Sequence, residues 1–375
     1  MRTLIWLLLA SVAVAQTGPR VLTSRTTENL RGVSVVSRDV AWASGTHGTY
    51  LRTNDGGMNW SPAQVPEAGD LDFRGVVAFS ADEAFLMSAG PGEQSRIYHT
   101  ADGGKHWELQ FTNKNPKGFF DSMAFWDAKH GIALGDPVAD EAGKLKFEIL
   151  LTDDGHNWHA APSAKLPDAI EGEGAFAASN SCLAMAPGGG TGDDVWFATG
   201  GKAARVFHSA DRGQSWEVFK TPMVHGPDSA GIFSIAFRDA LHGMVAGGDY
   251  KHTDDDGPNL AVTKDGGKTW TLSTLHPLAY FSAVGYDRAV NQAALRQEAE
   301  EKAEAASGKQ KRMRAVAPER IFIVGSNFVF DFRPPGNPRR VGGGKKEGRQ
   351  FNALGTFPDG GALVVGPKGA IVVIP

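Results

Sequence analysis

Short apolar runs of about five to seven residues, each closed by a turn rich in Gly, Asp, Asn or Ser, recur along most of this chain. Runs of that length bounded by turn residues predict strands rather than helices. One run returns seven times, at residues 30–36, 73–79, 120–125, 174–178, 232–237, 281–286 and 351–357. A second follows each of them, from residues 40–43 through 321–325 to 362–366. A third strand and a fourth complete each unit, so the pattern predicts an all-β chain of seven four-stranded units. The last unit stops after its third strand, residues 370–374, while residues 20–24 are strand-like and spare. They are expected to supply the missing outer strand and close a ring, which removes the unpaired edges an open sheet would carry.

Between the third and fourth strands five units carry one phrase. It reads TNDGGMNW, TADGGKHW, LTDDGHNW, SADRGQSW and TKDGGKTW, or Ser/Thr-x-Asp-x-Gly-x-x-Trp, lapsing only at Leu151. The tryptophans, Trp60, Trp107, Trp158, Trp216 and Trp270, lie 47, 51, 58 and 54 residues apart. That period suits a propeller blade and is too long for most helical solenoids. In such a hairpin loop the Asp accepts backbone N–H groups, the Gly supplies a positive φ, and the Trp buries a large ring beneath the turn. Asp55, Asp102, Asp153, Asp211 and Asp265 are therefore read as structural staples. The sixth and seventh units lack the phrase.

Three segments depart from the pattern. Residues 1–15 combine Arg2, an apolar run and an Ala-Val-Ala exit, the layout of a secretory signal peptide cut after Ala15, with 16–375 as one domain. The apolar run is short of the roughly 20 residues a bilayer requires. The mature chain is expected to have no transmembrane segment, to be monomeric, and to work in the periplasm or outside the cell. Residues 291–314 are Ala, Glu, Gln, Lys and Arg with almost no aromatics, a polar helix or insertion expected to be solvated. Residues 334–349 form a Gly, Pro and Arg/Lys-rich loop.

Composition narrows the function classes. With 38 Lys+Arg against 42 Asp+Glu there is no global electrostatic case for nucleic acid. A single cysteine, Cys182, excludes an intramolecular disulfide framework and a cysteine-based metal site. Gly is unusually frequent, 47 of 375, as many tight turns require.

The Asp phrases, set in hairpins of a seven-fold repeat, resemble Asp-box (BNR) repeats. Phe-led first strands, His-Gly turns into the second (His130-Gly131, His242-Gly243), Gly-Asp exits (Gly135-Asp136, Gly248-Asp249) and Thr-x-Asp-Gly-Gly-x-x-Trp together resemble the photosystem II stability/assembly factor-like propellers. The resemblance runs over nearly the whole mature chain. It implies a seven-bladed β-propeller. For function it implies a non-enzymatic surface that docks a protein, although Asp-box propellers also include sialidases.

In a propeller the loops entering strand one and joining strands two and three share a face, opposite the Asp phrases. On that face the repeat places Arg31 and Arg74 at equivalent positions, then Asp121, Glu171 and Glu173. The second set of loops adds His47, Asp136, Lys202, Asp249, Tyr250 and Asn327. Guanidinium forks suit carboxylate or phosphate groups. The expectation is a binding or assembly propeller that docks an extracytoplasmic protein or an acidic or glycan ligand there. The alternative is a sialidase-like glycoside hydrolase with Arg31 and Arg74 on the substrate carboxylate, Tyr250 with Glu171 or Glu173 as nucleophile pair, and Asp136 as acid. Two free carboxylates about 5–9 Å apart across a pocket would favour the hydrolase, and carboxylates paired with Arg or Lys the platform. The Arg-Ile-Pro phrase of sialidases is missing.

Other motifs carry less. Gly267-Lys268-Thr269 lacks the leading Gly of a phosphate loop, Val262 standing there. The glycines at 188–190 and 192 have no βαβ setting. His252, Asp254, Asp256 and Gly257 mimic the front of a calcium loop, but Thr263 occupies its twelfth position, so at most weak Ca²⁺ binding is expected near Asp254. No cofactor is expected.

Overall fold

The computed structural model describes residues 18–185, 192–273, 279–306, 319–325, 327–334, 336–342 and 350–375. The expected leader, residues 1–15, residues 307–314 of the polar insertion and residues 343–349 of the basic loop lie outside the described residues. Seven antiparallel sheets follow one another in chain order, and their inner strands touch in a closed circle. The inner strands are Leu30–Val35, Phe73–Ala78, Phe120–Phe125, Leu183–Met185, Ala230–Phe237, Phe281–Tyr286 and Ala353–Thr356. Ring closure follows the expected route: Arg20–Leu22 pairs antiparallel with Ala370–Ile374, with Val21 opposite Val372. The chain is a seven-bladed β-propeller.

Seven apolar clusters hold it, and each lies between two neighbouring blades rather than within one. Alternation explains this, because side chains of one strand point to both faces of its sheet and each blade must bury both. The Asp-box hairpins lock those same seams. Asp55 accepts the Asn59 backbone N–H at 2.9 Å and the Thr53 hydroxyl at 2.9 Å, while Thr53 Oγ1 accepts the Gly57 N–H. The same bonds recur around Asp102, Asp211 and Asp265. The second Gly of the phrase turns back on the preceding blade. Gly104, at φ 85°, faces the Tyr50 ring of blade one, and Gly267, at φ 88°, faces Trp196 of blade four. A Cβ at Gly104 would collide with that ring.

Two local readings are corrected. In blade three the staple is Asp154, not Asp153: Asp154 accepts the His156 and Asn157 backbone N–H groups at 2.8 and 2.7 Å. This hairpin starts from Thr152 and is one residue shorter, which is why the phrase lapses at Leu151. Asp153 is exposed and lies 3.8 Å from His159. In blade four the inner strand is Leu183–Met185, not residues 174–178. Glu173–Gly174 instead pairs with Gly200–Gly201, which pairs with Gly231 and joins the sheet of blade five. Residues 175–181 then cross the mouth of the channel.

The polar insertion forms a helix, Arg288–Ala306, capped by Asp287, whose carboxylate accepts the Val290 N–H at 3.1 Å. Its first turns pack across the Asp-box end of the channel. Ala294 is buried, and Arg288 donates to the Val35 carbonyl of blade one at 3.2 Å. The start of the insertion is thus part of the ring, while Ala299 and Glu300 are exposed. Among the described residues no helix is long and apolar enough to cross a membrane.

Candidate functional site

On the face opposite the Asp boxes a cavity of about 760 Å³ opens over the channel. Residues 175–178 line it, and four blades hold the segment 175–181 to which they belong. Asp136 accepts the Ala175 N–H at 3.0 Å, and Arg74 donates to the Ala177 carbonyl at 3.2 Å. Asn180, in the left-handed region at φ 59°, brackets Met123 through both its N–H and its carbonyl. Ser179 donates to the Ser282 carbonyl and Ser181 to Ser234. Phe176 stacks on Phe233 at 3.9 Å and 7°. Gly200 must be glycine because any Cβ there would run into the Phe176 ring and the Gly231 backbone. The channel is therefore plugged, and the funnel above it is blind.

Arg31 and Arg74 both line this funnel. They share one carboxylate: Asp72 lies 2.8 Å from Arg74 Nε and 3.9 Å from Arg31 Nε. Burial lowers the pKa of Arg31, and the neighbouring Arg74 adds to the effect against the opposing pull of Asp72. Arg31 Nε and Asp72 Oδ1 are buried with no hydrogen-bond partner among the described residues. Two guanidiniums facing one carboxylate leave a local excess of positive charge suited to an incoming anion. Sequence reasoning missed Asp72, although it stands two residues before Arg74 in Asp-Phe-Arg.

The acids of the funnel fall into two kinds. Glu173 is consumed: its carboxylate is fully buried in a salt bridge with Arg205 and accepts the Thr199 hydroxyl at 2.6 Å and the Ile170 N–H at 2.9 Å. Among the described residues no cation lies at hydrogen-bond distance from Asp121 or Asp136, although Arg74 acts on Asp121 from further away. Burial pushes Asp121 well above the usual carboxylate range, with Asp136 adding to it and Arg74 opposing. Burial raises Asp136 to about 6, against the hydrogen bond from Ala175 and with a further push from Glu148. Asp121 Oδ2 has no hydrogen-bond partner among the described residues.

The remaining candidates scatter. Tyr250 lines the funnel and is 48% exposed, at the end of a row of buried rings. His47 stands outside on a left-handed turn, where bonding to Glu28 raises its pKa. Lys202 is exposed and donates to the Gly226 carbonyl. Asp249 is turned to His252 at 2.9 Å and to the Lys251 N–H. Glu171 is exposed beside the rim, and Asn327 serves Arg340 through its carbonyl. His130 and His242 bond Asp127 and Asp239 in matching turns on the other face. Among the described residues no group of three or more His, Cys, Asp or Glu side chains could hold a metal ion, the acidic loop near Asp254 included. The plug was legible only as an irregularity, since the span from Trp158 to Trp216 is the longest between boxes.

Residues 15–162 match the family model described as Photosynthesis system II assembly factor YCF48, a span that includes blades one to three. The whole chain is similar in fold to a solved structure described as YCF48 bound to D1 peptide, with a TM-score of 0.58, 17% identity, and coverage of 96% of this chain and 98% of that one. The WD40 β-propeller domain of Doa1 superposes almost as well, at a TM-score of 0.56 and 10% identity over 96% of this chain and 97% of that one. No curated protein matches the chain. The chain resembles the photosystem II stability/assembly factor-like propellers in sequence over its first blades, and propellers of several kinds in fold.

Proposed function

We propose that this chain is a non-enzymatic binding propeller that docks an acidic segment of a protein partner in the plugged funnel. The observation that carries the reading is the Arg31/Arg74 pair sharing Asp72 at the wall of a blind, 760 Å³ recess. A recess of that size with few convergent polar groups suits a ligand rather than solvent alone. The match to the assembly-factor family and the peptide-bound state of a structural neighbour support a polypeptide as the ligand. A leader at residues 1–15 would carry the chain out of the cytoplasm, to the periplasm or beyond it, where the reading has it act as a monomer.

Glycoside hydrolysis is the weaker reading. Asp136 with a raised pKa would suit a general acid. The proposed nucleophile partner Glu173 is locked by Arg205, and Glu171 is outside the recess. Capture from the native cell envelope with the mature chain, beside an Arg31→Ala/Arg74→Ala variant of unchanged melting temperature, tests the docking reading. A defined partner should be retained by the first and lost from the second. Equal retention by both would sink it, and glycan turnover by the mature chain would put the hydrolase in its place.

A further inference from the structure

The funnel has a second recognition feature beside the arginines, and it narrows the partner chemistry if the docking reading holds. Tyr280 lines the same recess as Arg31 and Arg74. From Tyr280 an aromatic wall runs around the recess. Phe233 meets Tyr280 edge-on at 4.8 Å and 87°, stacks on Phe176, and meets Tyr250 edge-on at 6.1 Å and 83°. Phe233 and Tyr280 are buried, whereas Tyr250 leaves 48% of its surface open to the recess and to solvent. A tyrosine held against buried rings loses little conformational freedom when a ligand covers it, which is what makes such residues anchors of binding energy. Neither its exposure nor its support serves the ring closure of the propeller, because Tyr250 follows strand two of blade five and lies beyond the inter-blade core.

We infer that the funnel reads two neighbouring side chains of a polypeptide: a carboxylate on Arg31 and Arg74, and an aromatic ring on Tyr250. The partner segment would carry Asp or Glu beside Phe, Tyr or Trp. Lys251 Nζ lies 6.0 Å from the Tyr250 ring centroid, while Asp228 lines the recess with the opposite sign, so the charge that selects an acid is local to Arg31 and Arg74.

Titration calorimetry on the mature chain tests this with four probes. Three are capped hexapeptides of Gly and Ser with a central Asp-Phe, Asp-Ala or Asn-Phe, and the fourth is sialyllactose. Asp-Phe should bind on the order of tenfold more tightly than either single-feature peptide. Tyr250→Ala should remove the Asp-Phe advantage over Asp-Ala and leave Asp-Ala binding unchanged. Arg31→Ala/Arg74→Ala should weaken both Asp peptides together. Tyr250 is exposed, so its replacement leaves the fold intact, and Tyr250→Phe should keep the advantage. If the arginine variant weakens both peptides while Tyr250→Ala leaves their ratio unchanged, the aromatic seat is overturned and the docking reading stands. If neither variant changes peptide binding, both fall. Sialyllactose binding more tightly than Asp-Phe would overturn the peptide assignment, as would no Asp-Phe binding at millimolar concentration.

Discussion

Blades one to five and blades six and seven close the same face of the ring with different chemistry. In the first group each seam has its own small hairpin staple, half-exposed and built from residues at most seven apart in sequence. In the second group a buried cation joins blade six to blade seven. Arg320, at the start of strand two of blade six, reaches Asp331 at 2.8 Å, Asp287 at 3.2 Å and the Pro375 oxygen at 2.5 Å. Asp287 also accepts the Gly361 N–H of blade seven and caps the helix. One network therefore ties two blades, the chain end and the helix. Local staples give independent, additive increments; a shared buried charge gives a joint that holds or fails as a unit.

The strongest way to break that contrast is Arg320→Ala. It leaves Asp287 buried without its cation and Asp331 with only the more exposed Arg333 at 3.3 Å, and a buried carboxylate stripped of its partner typically costs about 3–5 kcal/mol. Urea denaturation should show the loss. Hydrogen exchange should place it in residues 281–306 and 353–375, with the first five blades far less affected. Uniform loss around the ring would show that the joint is not a unit.

A staple should cost less and stay local. Thr263→Val removes the hydroxyl that accepts the buried Gly267 N–H at 2.9 Å, leaving a donor unsatisfied at a cost of about 1–3 kcal/mol. Faster exchange should be confined to the seam of blades four and five, where Gly267 faces Trp196. Spread into blade six would contradict the picture of independent staples.

Acid sharpens a second contrast, between box and funnel carboxylates. Hydrogen bonds from the His106 backbone and side chain hold Asp102 at about 2 in the folded chain. A folded pKa below the unfolded value of about 3.9 means stability present above that value and lost as pH falls through the folded one. Asp136, raised to about 6 by burial, has the opposite sign: its favourable contribution is complete below about pH 4 and gone above pH 6. Asp136→Asn should therefore raise the melting temperature at pH 7.5 relative to the parent chain and leave it nearly unchanged at pH 4. Asp102→Asn should lower it at pH 7.5 and do so less at pH 2. A rise at pH 4 equal to that at pH 7.5 would rule out burial of the Asp136 charge as the cause.

These contrasts also separate what the sequence discloses from what it hides. The staples, the seven-fold count and the ring closure are encoded within single hairpins and in alternation, so local reading finds them. The equivalent positions of Arg31 and Arg74 follow from the repeat. Asp72, the plug and the Arg320 network depend on residues brought together from different blades, which no local period announces. Glu173 misled because its partner Arg205 lies across the interruption in blade four, where the repeat loses register.

The third box offers the smallest and most pointed test of local reading. By the phrase alone Asp153 aligns with Asp55 and Asp102, whereas the backbone places Asp154 under the N–H groups of His156 and Asn157. Those bonds, with Asn157 Nδ2 at 2.8 Å, hold the Asp154 carboxyl well below the usual carboxylate range. Asp153→Ala should change stability by no more than about 0.5 kcal/mol, as exposed substitutions usually do. Asp154→Ala should lower the melting temperature at pH 7 and lose much of that difference near pH 2, below the unfolded-state pKa of about 3.9. Paired melts of the two variants at both pH values decide between alignment and geometry. If Asp153→Ala were the damaging change, the hairpin would have the longer register that the phrase suggests, and Thr152 could not be its anchor.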